Sequence, residues 1–176
     1  MPAQILIPAI AGDGSLFPME KMRVHEEAQF HLAVSVFLFD RGELLIQRRA
    51  RSKYHCGGLW ANTCCTHPHW TETLAACAAR RLREELGFSL PLSEKCVVEY
   101  SADVGGGLHE HERVTFFTAE VAREDIVIAP NPLEVEEVRW ISPASLHREI
   151  AQDPSAFTPW FRINAERFPK FEIPND

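Results

Sequence analysis

Nine residues from His31 to Phe39, HLAVSVFLF, constrain the fold more than any other stretch. Apolar side chains fill both alternating faces, the pattern of a strand covered on each side. Asp40-Arg41-Gly42 follows as a hairpin turn, and Glu43 to Arg49 returns as its partner. The clearest helix spans Thr71 to Leu86. Thr71 caps its start, Glu72 suits the positive end of its dipole, and Gly87 supplies the left-handed residue after it. Leu74, Ala78, Leu82 and Leu86 recur every four residues as its buried stripe, and Glu85 borders that stripe.

Shorter signals fill in the rest. Gln4 to Ile7 reads as a strand with a turn at Gly12-Asp13-Gly14-Ser15, whereas Pro18 to Phe30 shows no period. Strands are expected at Cys96–Ala102, Glu110–Val121 and Glu137–Ile141, the first two separated by Gly105-Gly106-Gly107. Ser142 and Pro143 open a helix to about Ile150, and Trp160 to Phe168 forms a last one. No repeat or linker interrupts the pattern, so residues 1–176 read as one α/β domain with a mixed sheet.

At 45% hydrophobic and 24% charged residues, the chain can bury a core. A net charge of −7 argues against a nucleic-acid partner, although a local cation cluster can still hold an anion. Arg48, Arg49, Arg51 and Lys53, beside Gly57 and Gly58, are such a cluster: either a solvated basic loop or an anion site. No signal segment or membrane span opens the sequence, and the five cysteines are an odd number. Cys64 and Cys65 are adjacent, where a disulfide would be strained, so a cytoplasmic protein with reduced thiols is expected.

His109-Glu110-His111-Glu112 is the densest set of potential ligands. In an extended strand the two glutamates share one face and the two histidines the other. Carboxylates beside imidazoles suit manganese, magnesium or zinc, but the period alone leaves open which pair points inward and whether the strand is merely exposed. His25, His31 and His67 are isolated candidates to join them. Cys77 and Cys96 look like core fillers. Cys64 and Cys65 sit in a polar stretch near His67 and a helix start, where positive charge would lower a thiol pKa. Trp160 is either a core aromatic or a ring placed to face a cation.

Thr66 to Phe88 resembles a degenerate Nudix box, with Glu72, Arg80, Leu82, Glu84, Glu85, Gly87 and Phe88 at the expected spacings. Thr66 replaces the first glycine, and Arg81 replaces a glutamate that Nudix hydrolysis usually needs. Six further blocks resemble the type 1 isopentenyl-diphosphate isomerases, a branch of that fold. They are Glu20-Lys21 with His25, His31-Leu32-Ala33, and Arg48-Arg49-Ala50 with Ser52-Lys53, then the stretch from Leu59 through Cys65 to His67-Pro68, Glu110-His111-Glu112, and Phe157 to Trp160.

The resemblance implies a Nudix-like α/β/α sandwich whose core runs over about 29–163. It implies an enzyme moving a carbon–carbon double bond in a small isoprenyl diphosphate, acting as a monomer or homodimer. Cys65 and Glu112 would be catalytic, Glu112 as acid assisted by Tyr100 and Cys65 thiolate as base, with Trp160 facing the intermediate cation. His25, His31, His67, Glu110 and Glu112 would hold Mn2+, Zn2+ or Mg2+. A second magnesium would bind Glu85, the Cys65 main-chain carbonyl and the substrate diphosphate, gripped by Lys21, Arg49, Lys53 and Arg81. The alternatives are a Nudix diphosphohydrolase and a non-catalytic domain built on a structural metal.

Overall fold

A computed structural model describes residues 4–176. Strand β3 (His31–Asp40) is the hub of its sheet. One edge of β3 runs parallel to the strand Leu108–Glu120, from the pair His31 and Glu112 to the pair Phe39 and Glu120. The other edge is shared in succession by three antiparallel segments: β1 (Leu6–Ile10) at His31, β6 (Cys64–Thr66) at Val34–Val36, and β4 (Glu43–Arg49) at Phe39–Asp40. Flanked by partners on both edges, β3 lies inside the sheet, and its two faces are apolar because helices pack on each.

Strand β2 (Leu16–Glu20) pairs with β1, while β5 (Trp60–Ala61) and β9 (Val135–Ile141) pair with β4. The long hairpin of β7 (Ser93–Gly105) and β8 (Leu108–Glu120) turns at three glycines, all with positive φ. Helix α1 (Lys21–Glu26) follows β2 directly. Helix α2 (Leu74–Leu86) covers one face, its Cys77, Ala78, Leu82 and Leu86 packing on Val34, Val36, Leu38 and Phe117. Helices α3 (Pro143–Gln152) and α4 (Pro159–Arg167) cover the other, with Leu146, Trp160 and Phe161 against Ala33, Phe37, Val114 and Phe116. The result is an α/β/α sandwich around a mixed sheet.

Several boundaries move from their sequence-based positions. The first strand starts two residues late, at Leu6, because its register is set by the β2 hairpin. The stretch without a period holds the end of β2 and the six-residue α1, both too short to show one. Thr71 does not cap α2: it has φ +70°, and Thr73 takes that role by accepting from the Ala76 amide. Glu72 is therefore outside the helix, folded back onto the Arg80 guanidinium at 2.7 and 2.8 Å and the His69 amide at 2.8 Å. Cys64 and Cys65 lie in strand β6 and not in a polar loop, Leu74 is only half-buried, and α4 begins one residue early at Pro159.

Gly87 ends α2 as expected, with φ +79° and its amide bonded to the Arg83 carbonyl. A Cβ there would lie 2.8 Å from the Ala129 carbonyl oxygen. Gly87→Ala should therefore destabilise the chain by roughly 1–3 kcal/mol, combining left-handed strain with backbone collision. An unchanged thermal unfolding midpoint would contradict this.

Candidate active site

The strand registers assemble the site on the face covered by α4. His31 on β3 lies beside Glu112 on β8, and Glu112 lies beside Tyr100 on β7. On the opposite edge of β3, Ser35 pairs with Cys65 on β6. Glu112 and Cys65 thus flank β3 from its two sides, and both line one small cavity with Glu110, His67, Glu85 and Trp160. Alternation along β8 turns Glu110 and Glu112 inward, 3% and 1% exposed, while His111 is exposed. The choice between the two pairs is settled in favour of the carboxylates.

Glu110 and three histidines form a cluster whose ligand atoms all lie within 4.8 Å of one another: His25 from α1, His31 from β3 and His67 after β6. Glu112 Oε1 joins it, 2.8 Å from His67 Nε2 and 3.5 Å from His31 Nε2. His25 Nδ1 donates to the Lys21 carbonyl at 2.6 Å, and His31 Nδ1 donates to the Gln29 carbonyl at 2.7 Å. In a neutral imidazole each Nε2 is then a bare lone pair. Both are buried, have no hydrogen-bond partner and face Glu110 Oε2 at 3.2 and 3.6 Å. Lone pairs facing a carboxylate oxygen repel unless a positive charge lies among them, either on the rings or as an ion between them. Backbone carbonyls orienting the far ring nitrogens are the support that metal-binding imidazoles commonly have. The donor set of imidazoles and carboxylates fits a divalent cation such as Mn2+, Zn2+ or Mg2+.

The titration tendencies report the same demand for charge. Burial alone would pull His31 down, but the facing carboxylates of Glu110 and Glu112 carry it up to about 9. Burial wins at His67, which falls below the usual imidazole value. Burial also works to raise Glu110, yet the facing imidazoles of His25, His31, His55 and His67 hold it well below the usual carboxylate range. Glu112 is held down as well, its hydrogen bond with His67 and its contact with His31 outweighing burial and the charge of Glu110.

Cys65 departs from expectation. Burial first, then the Glu112 carboxylate, push its thiol well above the ordinary value, although Ser35 donates to its sulfur at 3.4 Å. A strand interior beside two carboxylates is the opposite of an electropositive loop, and it favours the thiol over the thiolate. Tyr100 is pushed up by burial and Glu112, and its hydroxyl donates to Glu112 Oε2. Trp160 is buried, its indole nitrogen unpartnered and its ring 5.3 Å from the Arg49 guanidinium.

Four cations, Lys21, Arg49, Lys53 and Arg81, line the same cavity. Burial, then the charges of Lys53 and Arg81, bring Lys21 down to about 8. Arg48 and Arg51 turn away to Glu136 and Glu137, so only half of the basic cluster reaches the site. Glu85 is held from both sides, by Gln47 at 2.6 Å and by Arg81 at 2.6 Å. Sequence reading missed Glu134, which bridges Lys53 at 2.6 Å and Arg81 at 2.8 Å. It also missed Ser35, Gln47 and His55, because neutral strand residues and single histidines carry no spacing signal.

A NUDIX domain family model matches residues 29–161. Solved structures agree on the fold: a Deinococcus radiodurans protein superposes with a TM-score of 0.74 at 16% identity, over 92% of this chain and 98% of its own. A MutT protein from Methanosarcina mazei gives 0.63 at 19% identity, over 79% and 92%. The class is thus a Nudix domain carrying a buried His/Glu cluster.

Its curated relatives are more specific. An isopentenyl-diphosphate Delta-isomerase of Cereibacter sphaeroides is 53% identical over 90% of this chain and 89% of that protein. One from Rhodobacter capsulatus is 48% identical over 94% and 93%. The chain belongs to the isopentenyl-diphosphate Delta-isomerase branch of the Nudix family.

Purified protein equilibrated with Mn2+ and desalted should retain about one ion per chain, and Glu110→Gln should bind it at least 10-fold more weakly. Isothermal titration showing equal affinity in both proteins would contradict a role for Glu110.

Proposed function

We propose that this chain interconverts isopentenyl diphosphate and dimethylallyl diphosphate by adding a proton to the terminal alkene carbon and removing one from carbon two. The observation that carries the reading is the convergence of Cys65 and Glu112 on one cavity from opposite edges of β3, with cations at its rim. An unactivated alkene gains a proton only at the expense of a tertiary carbocation, which water would capture. Acid and base must then be separate groups on opposed sides of the substrate.

Residue roles follow from position. Burial and the Glu112 charge favour the protonated form of Cys65, whereas the facing His31 and His67 favour the ionised form of Glu112, so one of the pair would deliver a proton and the other remove one. Tyr100 donates to Glu112 Oε2 and orients that carboxylate. The buried Trp160 ring can face the cationic intermediate, and Lys21, Arg49, Lys53 and Arg81 would hold the diphosphate. His25, His31, His67, Glu110 and Glu112 would hold one divalent ion, while Glu85 and the Cys65 carbonyl would hold a magnesium shared with the diphosphate. Bound there, these ions would supply fixed positive charge that keeps the buried carboxylates ionised and neutralises the substrate.

Incubation with isopentenyl diphosphate and Mg2+ should yield the dimethylallyl isomer without phosphate release; phosphate release instead would make the chain a diphosphohydrolase. Cys65→Ala and Glu112→Gln should each lower kcat by about 10²–10⁴. Arg81→Glu should act mainly on KM, through charge repulsion of the diphosphate. Wild-type turnover in Cys65→Ala would remove the thiol from the reaction.

A further inference from the structure

Glu110 meets four imidazoles, and they divide between its two oxygens. Oε2 faces the Nε2 atoms of His25, His31 and His67 at 3.2, 3.6 and 3.7 Å. Oε1 is turned away from them, 2.9 Å from His55 Nε2. The cluster of His25, His31, His67 and Glu110 does not include His55. His55 therefore stands outside it, on the far oxygen of the one carboxylate that all three clustered histidines face.

The ring has little freedom to do anything else. Its side chain is 4% exposed, and it lies edge-on to Tyr54 at 4.2 Å and to Trp160 at 5.6 Å. The His55 carbonyl accepts from Arg49 at 3.2 Å, which anchors the backbone beneath it. Neither ring nitrogen completes a hydrogen bond among the described residues, and the ring's one ion-pair contact is with Glu110 Oε1.

We propose that His55 is a positioning residue: it holds Glu110 Oε1 so that Oε2 alone faces the clustered imidazoles and the ion they bind. The inference rests on reading the cluster as a divalent-metal site. A carboxylate beside a cation can present one oxygen or two, and can swing between them. A donor on the outer oxygen favours a single arrangement, because any other leaves buried polar atoms unpaired. Through its edge contact with Trp160, the same ring ties the metal carboxylate to the aromatic wall of the cavity.

The test uses the full chain, stripped of metal by chelation, with Mn2+ alone as the probe and electron paramagnetic resonance as the readout. His55→Gln keeps a donor that can reach Oε1. His55→Phe keeps the aromatic packing against Tyr54 and Trp160 but has no donor. The expected result is Mn2+ binding weakened about 10–100-fold in His55→Phe and changed only a few-fold in His55→Gln, with stoichiometry unaltered. Wild-type affinity in His55→Phe, with the loss falling on His55→Gln, would show that packing is the whole role and would overturn the proposal. If circular dichroism shows His55→Phe unfolded, His55→Ala takes its place: a loss confined to His55→Ala supports the proposal, and equal losses in the alanine and glutamine variants overturn it. Absence of Mn2+ binding by the wild type takes down the metal reading and this proposal with it. Binding unaffected by any His55 substitution removes this proposal alone.

Discussion

Two carboxylates, Glu110 and Glu112, project from the same face of one strand into the interior, 3% and 1% exposed. Ionised groups so deep are tolerated only where opposite charge and hydrogen bonds replace the water they have lost. The surrounding architecture supplies both. His25, His31, His55 and His67 ring the pair, and backbone carbonyls fix the far nitrogens of His25 and His31. Imidazole lone pairs and carboxylate oxygens converge on a point that repels itself unless a cation lies there. A buried site of that kind is costly for a merely structural strand and well suited to holding an ion.

The second constraint is the charge at the rim. Lys53 and Arg81 share Glu134, and Arg81 also meets Glu85, so these cations are held in place by carboxylates. Arg81 stands where Nudix hydrolysis usually needs a carboxylate, and that exchange alters what the fold can do. The family model begins at residue 29, so Lys21 and His25 come from the segment that precedes it. The short helix α1, ahead of the matched region, thus brings His25 to the His/Glu cluster and Lys21 to the cations lining the cavity.

Much of this was legible in the sequence, for physical reasons. The β3 run, its hairpin with β4 and the Gly87 terminus of α2 were readable because hydrophobic periodicity and left-handed glycine are local signals. The pairing of Glu110 with Glu112 followed from strand alternation, although their inward direction needed the sheet to decide it. Local signals failed where tertiary contacts override them. Thr71 looks like a cap, but Glu72 is drawn to Arg80, so the helix starts at Leu74. Cys65 looks like a loop thiol, but β3 recruits it as a strand, and burial raises its pKa instead of lowering it. His55 and Glu134 carry meaning only through partners 55 and 81 positions away in sequence.

The proposed isomerisation requires protons to move in and out of the substrate inside the cavity between Cys65 and Glu112. Nuclear magnetic resonance of isopentenyl diphosphate incubated with the metal-loaded chain in D2O tests this directly. Deuterium should enter a methyl group of the dimethylallyl product and also return to recovered starting material, with the diphosphate intact. Isomerisation without solvent deuterium in either compound, or a spectrum showing only cleaved phosphate, would contradict it.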